Sequence, residues 1–217
     1  MKMNFIRSLI RVLVPSFIKK PLKSYYKSRG TIRKAKKLLK SNNTIKLEIG
    51  SGPKTGTNGW ATMDLCDGCD LYWDLNNKIP FPDNSLEMIY SSHVMEHFPY
   101  QDLVKMLSDC FRMLKSGGVY SACVPNARIF VEGYNNPEKF DKNFLSYKPG
   151  IISELKMDFL NYIFYLDGQH KYMFDEENLT NLLKKIGFVS VELRDFDPSL
   201  DLAERKHESL FVQGKKP

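Results

Sequence analysis

The segment Thr44 to Gly50, TIKLEIG, alternates apolar and polar residues, with Ile45, Leu47 and Ile49 on one side, and runs directly into Ser51 and Gly52. A period of two is a strand pattern, and glycines at its carboxyl end let backbone approach a ligand closely. Upstream the period changes: Ile32, Ala35, Leu38 and Leu39 recur at helical spacing among lysines, so Thr31 to Lys40 reads as a short amphipathic helix. Downstream, strands are expected at Ala61 to Leu65, Asp70 to Trp73, Leu86 to Ser91, Val119 to Val124, Val189 to Leu193 and Leu210 to Gln213. Helices separate several of them. Leu103, Leu107, Cys110, Phe111 and Leu114 make one helical face, expected to stop at Gly117-Gly118. Leu179, Leu182, Leu183 and Ile186 make another, with Asp175, Glu176 and Glu177 at its start and Gly187 past its end. Strands alternating with helices specify the α/β class, a mostly parallel sheet covered on both faces.

At 217 residues the chain suits one domain, or one domain with an appendage. Its 42% apolar and 26% charged residues exclude a disordered, collagen-like or disulfide-stapled chain. The net charge of +7 is unevenly placed: residues 1–40 hold 13 of the 32 Lys and Arg and no acid, leaving 19 basic against 25 acidic residues in the other 177. The chain divides accordingly into a basic amphipathic arm, 1–40, and a domain, 41–217. In the arm, Ile6, Leu9, Ile10 and Leu13 share a helical face beside Arg7 and Arg11 until Pro15 interrupts it. The longest uncharged run, Val12 to Ile18, is far below the ~20 residues that span a bilayer. A secretory signal is not expected, given the arginines and the lack of a small-residue cleavage site; an organelle transit peptide would fit the lack of acids but not the scarcity of Arg and Ser.

Two readings of the arm stay open. It is an interfacial helix whose Lys19, Lys20, Lys23 and Lys27 meet anionic lipid headgroups, or a helix packed on its own domain with a solvated basic face. The acidic remainder, and few aromatics among the basic residues besides Tyr25 and Tyr26, argue against nucleic acid as partner. Cys66 and Cys69 form the single C-x-x-C; with Cys110 and Cys123 they read as reduced thiols of a cytoplasmic protein rather than as a closed zinc site. Lipid binding by the arm would place that protein peripherally at the inner membrane face.

Residues 126–170, between a strand and a helix, hold nine aromatics in 45 positions: Phe130, Tyr134, Phe140, Phe144, Tyr147, Phe159, Tyr162, Phe164 and Tyr165. So long an insertion after a sheet strand reads as a substrate lid, against the alternative of a hydrophobic cap that extends the core.

Two acids follow the glycine turn at later strand ends, Asp64 in TMDL and Asp74 in YWDL. A carboxylate at the second strand's tip can accept hydrogen bonds from both hydroxyls of a ribose. A dinucleotide fingerprint would need a glycine where Thr55 stands and an acid about 20 residues on; Asp64 follows Gly52 by only 12. With EIGSG, these acids, IPFPDNSLEMIYSSHVMEH, FRMLKSGGVYSACVPN and HKYMFDEENLTNLLKKIGF in that order, the chain resembles the class I S-adenosylmethionine-dependent methyltransferases over about residues 44–215. In particular it resembles the branch found among bacterial polysaccharide and glycan-modification genes.

The resemblance implies a Rossmann-like three-layer sandwich with a seven-stranded sheet whose last strand is antiparallel. It implies S-adenosylmethionine as cofactor, with Gly50, Ser51 and Gly52 along its methionine portion and Glu48 nearby. Asp64, with Leu65 beside it, would hold the ribose, Asp74 and Leu75 would sit at the adenine, and Ser91 and Ser92 would pass under the sulfonium. Pro53 to Gly59 departs from the pattern, being too short for the usual helix between the first two strands.

Methyl transfer to a hydroxyl needs alignment and a general base. His93 and His97, at the mouth of the fourth strand, and His170, at the end of the insertion, are the candidates. His93, Glu96 and His97 also have the H-x-x-E-H spacing of a metal site. The bland alternative, that Glu96 and His97 satisfy backbone groups at a helix start, is preferred, so no metal is expected. The expected reaction is O-methylation of a hydroxyl on a sugar or glycan intermediate or another small molecule; the rival is a non-catalytic module of the same fold held at the membrane.

Overall fold

The computed structural model describes residues 16–41, 44–136, 138 and 155–217. The expectations for Ile6, Leu9, Ile10 and Leu13, and for Phe140, Phe144 and Tyr147, lie outside the described residues. Seven strands form one sheet: β1 (Lys46–Ile49), β2 (Trp60–Asp64), β3 (Leu71–Tyr72), β4 (Leu86–Ser92), β5 (Leu114–Pro125), β6 (Val189–Leu193) and β7 (Ser209–Lys215). Their order is β3-β2-β1-β4-β5-β7-β6. The sheet is parallel except for β7, which runs antiparallel to both β5 and β6, as expected.

Helix α1 (Ser16–Ser41) precedes the sheet, α2 (Tyr100–Met113) joins β4 to β5, and α3 (Ala127–Asn135), α4 (Lys156–Tyr165) and α5 (Glu176–Ile186) lie between β5 and β6. The core joins Leu47, Ile49, Met63 and Ile89 of the strands to Leu103, Leu107 and Cys110 of α2 and Leu179 and Leu183 of α5, all fully buried. Burial of each such large apolar side chain contributes about 1.5–3 kcal/mol. Helix α5 is bounded as its sequence suggests. Asp175 caps its start reciprocally with Asn178, and Gly187, at φ +119°, ends it.

Three local expectations are corrected. The helix over Thr31 to Lys40 is the last part of α1, which begins at Ser16. The lysine-rich stretch before it carries no apolar period to announce it. Ala35 is fully buried and Leu38 and Leu39 pack against the main core, while the Thr31 hydroxyl donates to the Tyr72 carbonyl at 2.8 Å. Next, α2 ends at Met113, before the glycine pair, because its last carbonyls are met from elsewhere: Asn84 N donates to Arg112 O at 3.0 Å and Ser85 N to Met113 O at 2.8 Å. Last, Gly117 and Gly118 lie inside β5, where the pairing with β4 slips between Leu86 and Met88.

The connection from β1 to β2 contains no helix. The Asp70 carboxylate holds it in place, accepting from Gly56 N at 2.9 Å and Thr62 N at 3.0 Å through Oδ2. In the insertion, α3 and α4 make a small cluster of their own, Phe130, Phe159 and Ile163 with Tyr162, Phe164 and Met173 around it, separate from the main core.

Candidate active site

Strand register gathers the expected residues at the carboxyl edge of the sheet. Ile49 pairs with Met63 on one side and Ser91 on the other, so Gly50, Asp64 and Ser92 emerge in one row. Trp73 N donates to Asp64 O at 2.9 Å, which brings Asp74 to the same edge. In parallel α/β sheets this edge is where ligands bind.

The turn after β1 is built on left-handed backbone. Gly50 lies at φ +64° and donates its N–H to Met63 O at 2.8 Å; Ser51 donates to the same carbonyl at 3.3 Å. The Ser51 hydroxyl turns to Gly52 O at 3.1 Å. Gly52 lies at φ +68° and donates its N–H to Asp64 Oδ2 at 2.8 Å. A Cβ on Gly50 would stand 2.2 Å from Val94 Cγ2, whereas one on Gly52 would meet nothing within 4 Å. One glycine is thus packed and the next faces open space.

The other acids are held differently. Glu48 pairs with Lys54 at 2.6 Å, and burial raises its pKa above the usual carboxylate range. Asp74 Oδ1 accepts from Asn76 N and Nδ2, both at 2.9 Å. Leu65 is exposed, and Leu75 packs against the core. Ser91 is fully buried with its hydroxyl 2.8 Å from that of Tyr120, so it presents backbone, not side chain, at the edge; Ser92 is half-buried beside it. Cys66, next to Asp64, is held as a thiol, its pKa pushed up to about 11 by burial and then by the Asp64 charge.

The three histidines converge on Glu96. His93 sits at φ +53°, a strained position for a side-chain-bearing residue of the kind found at functional sites. Its N–H donates to Cys123 O at 2.9 Å, its Nε2 lies 2.8 Å from Ser209 Oγ and its Nδ1 3.5 Å from Glu96 Oε1. Burial, reinforced by the Arg205 charge, holds the His93 pKa well below 6.5, so the ring is neutral at pH 7.

Glu96 lies in a short 3-10 turn, Met95–His97, and is fully buried. Burial raises its pKa to about 8. Its carbonyl accepts from Lys171 N at 2.7 Å and Tyr172 N at 3.2 Å, fastening the end of the insertion to this turn. His97, with a side chain 38% exposed, has Nδ1 3.2 Å from Gln169 O and Nε2 4.0 Å from Glu96 Oε1. His170 is buried, with Nδ1 2.6 Å from Ile163 O and its ring centroid 5.1 Å from that of His97. Val94, between His93 and Met95, is the residue that packs on Gly50, so the histidine cluster and the glycine turn share a wall. Val94 and Ser209 carry no sequence signal. Each joins the site only by contact with a residue distant in the chain.

Known proteins share this framework. A solved S-adenosylmethionine-dependent methyltransferase from Archaeoglobus fulgidus superposes with a TM-score of 0.51 at 17% identity, over 88% of this chain and 93% of that one. A structure described as PigF with SAH gives 0.51 at 11% identity, over 83% of this chain and 53% of that one. At these identities the likeness is one of fold. In sequence, a protein of Mycolicibacterium smegmatis described as a probable S-adenosylmethionine-dependent methyltransferase is 35% identical over 60 residues, 28% of this chain and 23% of that relative. The match thus spans about a quarter of the relative's length. Residues 69–122, which carry β3, β4, the histidine-bearing turn, α2 and most of β5, match the family described as Methyltransferase domain.

Proposed function

We propose that the protein is an S-adenosylmethionine-dependent methyltransferase that O-methylates a hydroxyl on a sugar or glycan intermediate or another small molecule. The observation that carries this reading is the convergence of an open glycine turn, the Asp64 carboxylate and a cluster of histidines at one edge of a parallel sheet. The residues present fit the cofactor. Gly52 offers positive-φ backbone with free space beside it, and a carboxylate suited to a ribose diol stands at the tip of β2.

Gly50, Ser51 and Gly52 would line the methionine portion, Asp64 and Leu65 the ribose, Asp74 and Leu75 the adenine, and Ser91 and Ser92 the sulfonium side, with Glu48 behind the turn. When bound, the cofactor supplies a methyl group already activated on sulfur, so the protein's task is alignment and removal of the acceptor proton. A carbonyl only accepts, so Gln169 O fixes the proton of His97 on Nδ1 and leaves the lone pair on Nε2. His97 Nε2, the most open of the cluster, takes the hydroxyl proton. His93 and His170, each anchored through its other nitrogen, hold the surrounding wall. The α3–α4 unit would close over the acceptor. The exposed basic residues of α1 suit peripheral contact with an anionic membrane at its cytoplasmic face, and no nucleic-acid partner is assigned.

The test is calorimetry of the full chain with S-adenosylmethionine, followed by transfer of a labelled methyl group to panels of sugar and non-sugar hydroxyl acceptors. Saturable binding with transfer supports the reading, and transfer only to non-sugar hydroxyls corrects its substrate. Absence of binding removes the reading, and binding without transfer to any acceptor favours the non-catalytic module.

A further inference from the structure

Neither carboxylate oxygen of the fully buried Glu96 has a hydrogen-bond partner among the described residues. A carboxyl stripped of water and left without a hydrogen-bond partner costs about 1–3 kcal/mol, so such groups are normally paired or bind metal. Of the backbone-satisfying pair expected here, His97 meets a backbone group, Gln169 O, whereas the Glu96 carboxyl makes no cap to the start of its turn.

What surrounds it is informative. His97 Nδ1 is tied to Gln169 O and His170 Nδ1 to Ile163 O. Carbonyls only accept, so in each neutral ring the proton is on Nδ1 and the lone pair on Nε2. Glu96, His97 and His170 each bring one ligating atom to a group within 4.8 Å of one another. In that tautomer both histidines carry an acceptor at Nε2, beside a Glu96 carboxyl that has no hydrogen-bond partner among the described residues. Glu96 Oε1 and His97 Nε2 stand 4.0 Å apart, too far to share a proton. An ion bonded at about 2.0–2.2 Å would hold its ligand atoms ~3.3–3.5 Å apart, closer than Glu96 Oε1 and His97 Nε2 stand here.

We propose that Glu96, His97 and His170 bind a divalent transition-metal ion, with His93 beside it and one position open. Two imidazoles and a carboxylate suit zinc, cobalt, iron or nickel rather than magnesium or calcium. The carbonyls behind His97 and His170 are the outer partners that orient metal-binding histidines. His93 Nδ1 lies 3.5 Å from Glu96 Oε1, beside the group. The site itself stands on geometry alone. Its role rests on the methyltransferase reading: an ion here would hold the acceptor hydroxyl and lower its pKa, relieving His97 of that task.

The experiment uses the full chain, stripped with chelator, and titrates it with Co²⁺ followed by visible absorption and calorimetry, then with Zn²⁺ in competition. One equivalent of Co²⁺ with d–d absorption displaced by Zn²⁺ is expected, with E96Q and H97A each weakening binding by about 100-fold or more, and H207A, outside the cluster, leaving it unchanged. His97 is partly exposed, so H97A remains informative should E96Q misfold. Co²⁺ binding by the wild type no tighter than by H97A overturns the site. Neither cofactor nor acceptor is present, so metal binding without methyl transfer leaves the site standing and sinks the function. Methyl transfer by a protein that binds no Co²⁺ does the reverse.

Discussion

At Gly50 two constraints fall on one atom, since the backbone lies at φ +64° and a Cβ would stand 2.2 Å from Val94 Cγ2. G50A adds left-handed strain to an overpacked contact and should lower stability by about 2–5 kcal/mol, read from urea midpoints. Asp64 joins this turn to β2. D64A should weaken S-adenosylmethionine binding by about 10–100-fold in calorimetry, the loss of one or two hydrogen bonds to a charged group. The same carboxylate helps hold the Cys66 thiol protonated, at a pKa of about 11 against an ordinary 9.0. Two units up means about a hundredfold less thiolate at pH 8, and thiolate is the reactive form. The more basic thiolate is also the better nucleophile, so Cys66 should react with iodoacetamide about 10-fold more slowly than an unperturbed thiol, and D64N, by removing the charge that raises the pKa, should speed it. Peptide mass mapping over time follows both. The glycine turn and Asp64 were legible because their meaning is local: a strand ends, a tight turn follows, an acid tips the next strand. The bare carboxylate of Glu96 and the sequestered hydroxyl of Ser91 were not, because burial and partners such as Tyr120 come from chain far away.

The alternation of TIKLEIG carried more than a strand assignment. A central strand of a doubly wound sheet, covered on both sides, is usually apolar throughout, yet Lys46 and Glu48 of β1 remain half-buried between the buried Leu47 and Ile49. The missing helix after β1 and the alternation of β1 are two signs of one fact, that this face is not roofed by a helix from the next connection. The glycine pair after α2 misled for the opposite reason. Gly117 and Gly118 resemble a helix stop, but the stop is made by Asn84 and Ser85 from the turn before β4, and the glycines serve the slip in β5. In the described part of the insertion, apolar residues of α3 and α4 close on Phe130, Phe159 and Ile163 rather than on the sheet. F130A should remove about 3–5 kcal/mol of packing from that cluster alone. Amide exchange should quicken in α3 and α4 and stay slow in β1, β4 and β5. If the unit closes over the acceptor, acceptor KM should rise while cofactor affinity stays as in the wild type.

At the scale of the whole molecule the two readings of the N-terminal segment stop being rivals. Helix α1 turns Thr31, Ala35, Leu38 and Leu39 toward the domain, and Lys34 Nζ donates to Asp70 O at 2.7 Å. Arg33, Lys36, Lys37 and Lys40, at i, i+3, i+4 and i+7, stay exposed as one stripe. Over this part of the helix the apolar face is already occupied by the protein's own core, so a membrane would meet charge without an inserted apolar side. Binding of that kind draws about 1 kcal/mol from each Lys or Arg near an anionic surface and fades once salt shortens the Debye length below the gap. The full chain should therefore sediment with vesicles rich in phosphatidylglycerol, release as salt is raised, and ignore neutral phosphatidylcholine. Removing residues 1–41 is the wrong control, because it strips Ala35, Leu38 and Leu39 from the core and should lower the melting temperature in free solution. Reversing the stripe instead, with R33E, K36E, K37E and K40E together, should abolish sedimentation and leave the melting temperature within a few degrees of the wild type. Undiminished sedimentation by that variant would move any membrane contact away from this face of α1.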